Sequence, residues 1–158
     1  MIIIGADPGI SGAIALLKDG KLSRVSDIPI WVPTGKKRTV DSVMLAYDIA
    51  PYANYIFLER AQAMPKQGVS SSFEYGRAFG ILEATLRNTA PDAVLMYVSP
   101  SKWKRKLGLI GTEKTASIDM CRRLFPNKSD EFKLKKHHNK AEAALIAYYG
   151  AKILIEGE

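Results

Sequence analysis

Residues 1–17 read MIIIGADPGISGAIALL, and the stretch decides the fold. Residues 2–7 (IIIGAD) form a short apolar run closed by an acid, the pattern of a buried strand rather than a helix. Pro8-Gly9-Ile10-Ser11-Gly12 is turn chemistry, and residues 13–17 (AIALL) make a second apolar run. Beyond it, Lys18-Asp19-Gly20-Lys21 carries the Asp-Gly signal of a hairpin, and residues 22–28 alternate as a third strand. The chain is therefore expected to open as an antiparallel meander.

Working outward, residues 29–38 (PIWVPTGKKR) read as a Pro/Gly-rich basic loop. Residues 40–50 have helical spacing, with Val40, Val43, Met44 and Tyr47 on one side, and Pro51 stops the helix. Residues 54–59 (NYIFLE) are a short strand that again ends in a carboxylate, followed by a loop over 61–71. A helix is expected over 72–88, with Ser72, Gly76, Gly80 and Ala84 forming a stripe of small residues. Glycine inside a helix costs about 1 kcal/mol relative to Ala, which is tolerated where another backbone comes close. Packing on the sheet is the favoured reading of the stripe, and a subunit contact or an approach to the site loop is the other. Residues 93–98 form a further strand, and Ser99-Pro100 cap a basic helical turn over 101–106 that contains Trp103. Gly108 and Gly111 break the chain. A helix over 113–124 ends near Pro126, residues 127–140 are polar and basic, and a last helix spans 139–155. Three strands, helix, strand, helix, strand and helices make one mixed α/β domain over 1–158, a meander feeding a parallel portion.

The 158 residues hold 23 Lys plus Arg against 16 Asp plus Glu, a net charge of +7. Apolar residues at 47% and charged residues at 25% exclude wholesale disorder. No apolar run approaches the ~20 residues of a membrane helix. The opening lacks the basic n-region of a presequence, so a cytoplasmic protein of a bacterial cell or phage-infected host is expected. A lone Cys121 excludes an internal disulfide framework and a zinc-ribbon cluster, and packing within its helix is the expected role. The positive excess points to an anionic partner, with nucleic acid the leading candidate.

Three acids stand out by their setting. Asp7 closes Ile2-Ile3-Ile4-Gly5-Ala6, Glu59 closes Tyr55-Ile56-Phe57-Leu58, and Glu142 lies within a helix that is apolar almost all round. An ionised carboxylate on such a surface is costly unless a cation faces it. Strand C-termini in an open α/β sheet form the rim where ligands bind. If the strands of Asp7 and Glu59 are neighbours, both acids address one site, and the last helix can add Glu142. Oxygen donors of this kind suit Mg²⁺ or Mn²⁺.

With these residues in view, the chain resembles the RuvC-like Holliday junction resolvases of the ribonuclease H-like superfamily, in particular phage and bacterial members. MIIIGADPGISGAIALL resembles their opening. Glu59 with AQAMPKQGVSS and FEYGRAFG resembles their second block. VSPSKWKRKLGLIGTEKTASIDMCRRLFP resembles their basic segment, and HHNKAEAALIAYYG their final helix. The resemblance covers nearly the whole chain in order. It implies a homodimeric endonuclease that resolves four-way DNA junctions by paired symmetric nicks, leaving 5′-phosphate and 3′-hydroxyl ends. It implies catalytic, metal-binding residues Asp7, Glu59 and Glu142, with Glu142 standing where Asp is usual. The family's remaining acid, sometimes His, falls here on His138 or Asn139. Both share a helix face with Glu142; His138 is favoured as the better ligand, and Asn139 is the alternative. Two Mg²⁺ or Mn²⁺ ions per active site would straddle the scissile phosphate.

Three basic clusters would contact phosphates: Lys36, Lys37 and Arg38; Lys102, Lys104, Arg105 and Lys106 around Trp103; and Lys133, Lys135 and Lys136. One of the three is expected to be a solvated face only. Lys104 and Lys114 match positions that contact DNA near the cut in the resembled family. His137 reads as a phosphate contact or a solvated residue, and Trp103 as a packing residue rather than a base stacker. The loop containing Gln62, Met64, Lys66 and Gln67 is expected to face the junction centre. Some relatives carry an aromatic wedge where this chain has Gln62, so Met64 or Phe73 would have to replace it. Three other readings stay open: a relaxed nuclease for flaps and forks, an inactive junction-binding module, and an actin-like or sugar-kinase ATPase suggested by Asp-Pro-Gly-Ile-Ser-Gly. That last architecture needs a longer chain and a second phosphate loop, so no nucleotide cofactor is expected, and the lack of a long apolar run leaves no membrane partner expected.

Overall fold

The computed structural model describes residues 1–35, 37–62 and 68–157. Strands β1 (Ile2–Asp7), β2 (Ala13–Lys18) and β3 (Lys21–Asp27) form the expected antiparallel meander. Asp19 and Gly20 both take positive φ in the tight turn between β2 and β3, as the Asp-Gly pair requires. Strand β6 (Tyr55–Glu59) pairs parallel with β1, and β7 (Val94–Val98) pairs parallel with β6. The sheet order is β3-β2-β1-β6-β7, so β1 and β6 are central neighbours.

Alternation along the central strands divides the core in two. Ile3 and Phe57 join the cluster beneath α5 (His138–Glu156) and α4 (Thr115–Leu124). Ile4, Ala6, Ile56 and Leu58 join the opposite cluster beneath α1 (Ser42–Asp48) and α2 (Val69–Thr89). Both faces are thus covered, as the near-continuous apolar strands require. Helix α5 lies unusually close to β1: a Cβ on Gly5 would collide with the backbone of Ala143 and Ala147, and one on Gly150 with the ring of Phe57. The alanine-rich face of α5 and the absent side chain of Gly5 are two sides of one contact.

Several local expectations are corrected. The segment 29–38 contains strand β4 (Ile30–Trp31), which pairs antiparallel with β5 (Thr39–Val40). Val40 is therefore a buried strand residue, and α1 begins two residues later, where the Asp41 carboxylate accepts hydrogen bonds from the amides of Val43 at 3.1 Å and Met44 at 3.0 Å. The side of α1 shared by Val43, Met44 and Tyr47 is exposed, and Leu45 faces the core. Helix α2 starts at Val69 rather than 72. Its stripe of Gly76, Gly80 and Ala84 points away from the sheet, with open space around Gly76 and Gly80. Packing on the sheet is thus not the reason for these glycines. Residues 126–137 fold into two short 3₁₀ segments, Pro126–Phe132 and Lys135–His137, and α5 begins at His138. Cys121 is buried, its Sγ 3.3 Å from the carbonyl of Ala141. Among the described residues no helix is long and apolar enough to cross a membrane.

Candidate active site

The register of β1 and β6 places the first two acids. Gly5 pairs with Phe57 and Ala6 with Leu58 in the parallel ladder. Asp7 and Glu59 are each two residues beyond the Gly5–Phe57 pair, so they end neighbouring strands at one edge and on the α5 side of the sheet. Both side chains are buried despite their charge, Asp7 at 8% and Glu59 at 9% exposure. Glu142 lies in the second turn of α5, above that edge.

The three acids act on one another electrostatically. Burial, then the charge of Glu59 and then that of Glu142, holds the Asp7 carboxyl well above the usual carboxylate range, while Lys104 pulls the other way. Burial also raises Glu59, with Glu142 adding to the rise, and the Trp103 hydrogen bond and Lys104 oppose it. Both partners come from one helical turn in α3 (Pro100–Lys106). Trp103 Nε1 donates to Glu59 Oε2 at 2.7 Å. Lys104 Nζ lies 2.8 Å from Glu142 Oε1, and 5.0 Å from the centroid of the Trp103 ring.

Tyr75 of α2 completes the wall and was not anticipated from the sequence. Burial, with added repulsion from Glu59 and Asp7, pushes its phenol up to about 12, so its hydroxyl stays protonated. Gly9, at φ +125°, meets the Tyr75 ring: a Cβ there would sit 3.5 Å from Cε2. The turn after β1 thus lies against α2 as well as beneath α5. On the α5 side, Asn139 Nδ2 donates to the carbonyl of Ser11 in the same turn. Of the two residues considered for the fourth position, Asn139 is thereby tied to the turn that follows Asp7. His138, the favoured one, starts α5 and is half-buried.

The donor set fits a hard divalent cation. The three carboxylates repel one another, two of them buried, and a cation would relieve that repulsion directly. Among the described residues no three His, Cys, Asp or Glu groups are closed around a single point; Glu142 instead faces the Lys104 ammonium. Asp7, Glu59 and Glu142 would supply the oxygens, with Asn139 or His138 beside Glu142.

The basic residues divide. Lys102, Arg105, Lys114 and Lys136 are exposed, as are Lys37, Arg38 and Gln62. Lys37 Nζ also lies 3.1 Å from Ser70 Oγ at the start of α2. Lys106 pairs with Glu156 at 2.6 Å, at the far end of α5 from Glu142, so it belongs with the structural ion pairs. Lys133 faces Asp130 at 2.9 Å. Trp103 is wholly buried, which agrees with a packing role and excludes base stacking. Lys36, Met64, Lys66 and Gln67 lie outside the described residues.

No family model matches the chain. Over 102 residues it is 31% identical to the chloroplastic Holliday junction resolvase MOC1 of Chlamydomonas reinhardtii, a match covering 61% of this chain and 11% of that protein's length. The structure of T. thermophilus RuvC in complex with a Holliday junction substrate superposes with a TM-score of 0.66 at 16% identity, covering 99% of this chain and 97% of the other. A second Thermus thermophilus RuvC structure gives 0.61 at 15% identity, with the same coverage. The sheet order and the helices on both faces are therefore those of the RuvC fold.

Proposed function

We propose that this chain is a metal-dependent endodeoxyribonuclease that resolves four-way DNA junctions, acting as a homodimer that makes paired symmetric nicks. The observation that carries the reading is the placement of buried Asp7 and Glu59 at the ends of the paired strands β1 and β6, with Glu142 repelling both, on a fold shared with a junction-bound RuvC. Asp7, Glu59 and Glu142, with Asn139 or His138, would hold Mg²⁺ or Mn²⁺, two per site. Ions held there would supply activation of water and stabilisation of the leaving oxygen, for a displacement that leaves 5′-phosphate and 3′-hydroxyl ends.

The remaining roles belong to the chain's own groups. Lys104, already beside Glu142, is placed to neutralise a phosphate brought to the acids. The Tyr75 hydroxyl, kept protonated, can donate to a phosphate oxygen at the same edge. Lys102, Arg105, Lys114 and Lys136 supply exposed charge for more distant phosphates. The open Gly76–Gly80–Ala84 stripe of α2 supports dimerisation, since small residues on an exposed helix let a second backbone approach closely.

A second reading, a relaxed nuclease for flaps and forks, is favoured by one observation. Gln62 is exposed where some relatives carry an aromatic wedge, leaving Met64 or Phe73, the latter exposed at 68%, to open a junction. The test is incubation of end-labelled four-way junctions, flaps, forks and linear duplex with Mg²⁺, Mn²⁺ or chelator, alongside Asp7→Asn. Metal-dependent cutting of junctions alone, lost in Asp7→Asn, supports resolution. Equal cutting of flaps and forks supports the relaxed nuclease. Binding without cutting in either metal overturns both in favour of a binding module.

A further inference from the structure

Trp103 is placed unlike an ordinary core tryptophan. Its side chain is fully buried and joins the cluster beneath α5 with Leu109, Ile118 and Cys121. An indole N–H can only donate, and when buried it finds a partner. The partner here is not a backbone carbonyl but the Glu59 carboxylate, at 2.7 Å. Hydrogen bonds to an ionised acceptor are roughly twice as strong as neutral ones. A phenylalanine or leucine would fill the same apolar space and leave a buried carboxylate oxygen without its donor.

The backbone explains how the indole reaches that oxygen. Glu59 pairs with Val98 in the sheet, and the amide of Arg60 donates to the carbonyl of Val98 at 2.8 Å. Ser99 and Pro100 then start α3 directly beyond Val98. The first turn of α3 therefore folds over the end of β6, with Trp103 on Glu59 and the next residue, Lys104, on Glu142.

We propose that Trp103 is a positioning residue for the metal site: its N–H immobilises Glu59 Oε2, so that Oε1 and the remaining lone pair of Oε2 are what Glu59 offers to a cation. The proposal rests on the nuclease reading above and adds to it a residue that touches neither metal nor DNA. Fixing the orientation of a ligating carboxylate is worth roughly 10–100-fold in metal affinity.

The experiment is a calorimetric titration of the DNA-free protein with Mn²⁺. It compares the unaltered chain, Trp103→Phe, and a chain with 3-benzothienylalanine at position 103, which keeps the indole shape but has no N–H. Thermal melting reports folding. The expected result is a Kd for Mn²⁺ raised roughly 10–100-fold in the benzothienyl protein while its melting temperature stays close to that of the unaltered chain. A second measurement needs no substitution. The chain has two tryptophans, Trp103 and the exposed Trp31, and in the ¹⁵N-labelled protein Mg²⁺ should shift the Trp103 indole resonance and leave that of Trp31 in place. An unchanged Mn²⁺ Kd in the folded benzothienyl protein, or a Trp103 resonance unmoved at saturating Mg²⁺, overturns the positioning role alone. No Mn²⁺ uptake by the unaltered chain overturns it together with the metal-dependent reading.

Discussion

Lys104 Nζ lies 2.8 Å from Glu142 Oε1, an ion pair that joins α3 to α5 across the end of the sheet. It places one ammonium among three carboxylates, where it lowers the cost of ionising both Asp7 and Glu59. Removing it should harm chemistry more than folding, because the pair is partly solvated. Lys104→Met is expected to fold and to cut about a hundredfold more slowly, with junction affinity falling far less. Single-turnover cleavage set against gel-shift binding separates the two effects.

The raised acids make a prediction about stability. A group whose folded-state pKa lies above its unfolded value contributes stability that is present at low pH and lost as pH rises through the folded value. Asp7 and Glu59 are both of this kind. In chelator at pH 7, Asp7→Asn should therefore melt several degrees above the unaltered protein, and the gap should close as the pH is lowered until the acids are protonated. Adding Mn²⁺ should raise the melting temperature of the unaltered chain and leave Asp7→Asn nearly unmoved. Melting curves across pH, with and without Mn²⁺, check both statements.

Gly5 sets the distance between β1 and α5. A methyl group there collides with backbone atoms of Ala143 and Ala147, which cannot give way as a flexible side chain would. Gly5→Ala should cost about 1–3 kcal/mol in urea denaturation and displace Glu142, so cutting should fall even where the protein remains folded.

The charge excess predicts steep salt dependence of DNA binding. Lys114→Ala and Lys136→Ala, both at exposed positions, should each weaken junction binding and reduce the slope of log K against log salt by about 1. Lys106→Ala should leave that slope unchanged, because its ammonium faces Glu156 at the far end of α5. Binding isotherms at several salt concentrations read all three.

The meander and the two acid-ended strands were legible because local chemistry dictates them: an Asp-Gly turn, and apolar runs of strand length closed by carboxylates. Glu142 was legible because it interrupts an apolar helix. Tyr75 and Trp103 were not assigned to the site, since each reaches it through packing between elements distant in the chain, and neither residue type marks a site by itself. Which side of α1 is buried is not legible either. Helical spacing of Val43, Met44 and Tyr47 shows that they share a side, not that the side is buried, and the core contact is Leu45 alone. The α2 stripe failed in the same way: spacing aligned its glycines, and only the position of the sheet shows that they face outward. Strands β4 and β5, two residues each, are too short to carry any period.

The central claim, paired metal-dependent nicking of a four-way junction, is tested most directly on a supercoiled plasmid that extrudes a cruciform. Two nicks made within one binding event convert it straight to linear DNA, whereas independent nicks accumulate open circles. The account predicts linear plasmid, resealable at its nicked ends by ligase, as the first product with Mg²⁺ or Mn²⁺, and none with chelator or Asp7→Asn. Plasmid that is bound yet remains supercoiled in both metals would contradict it.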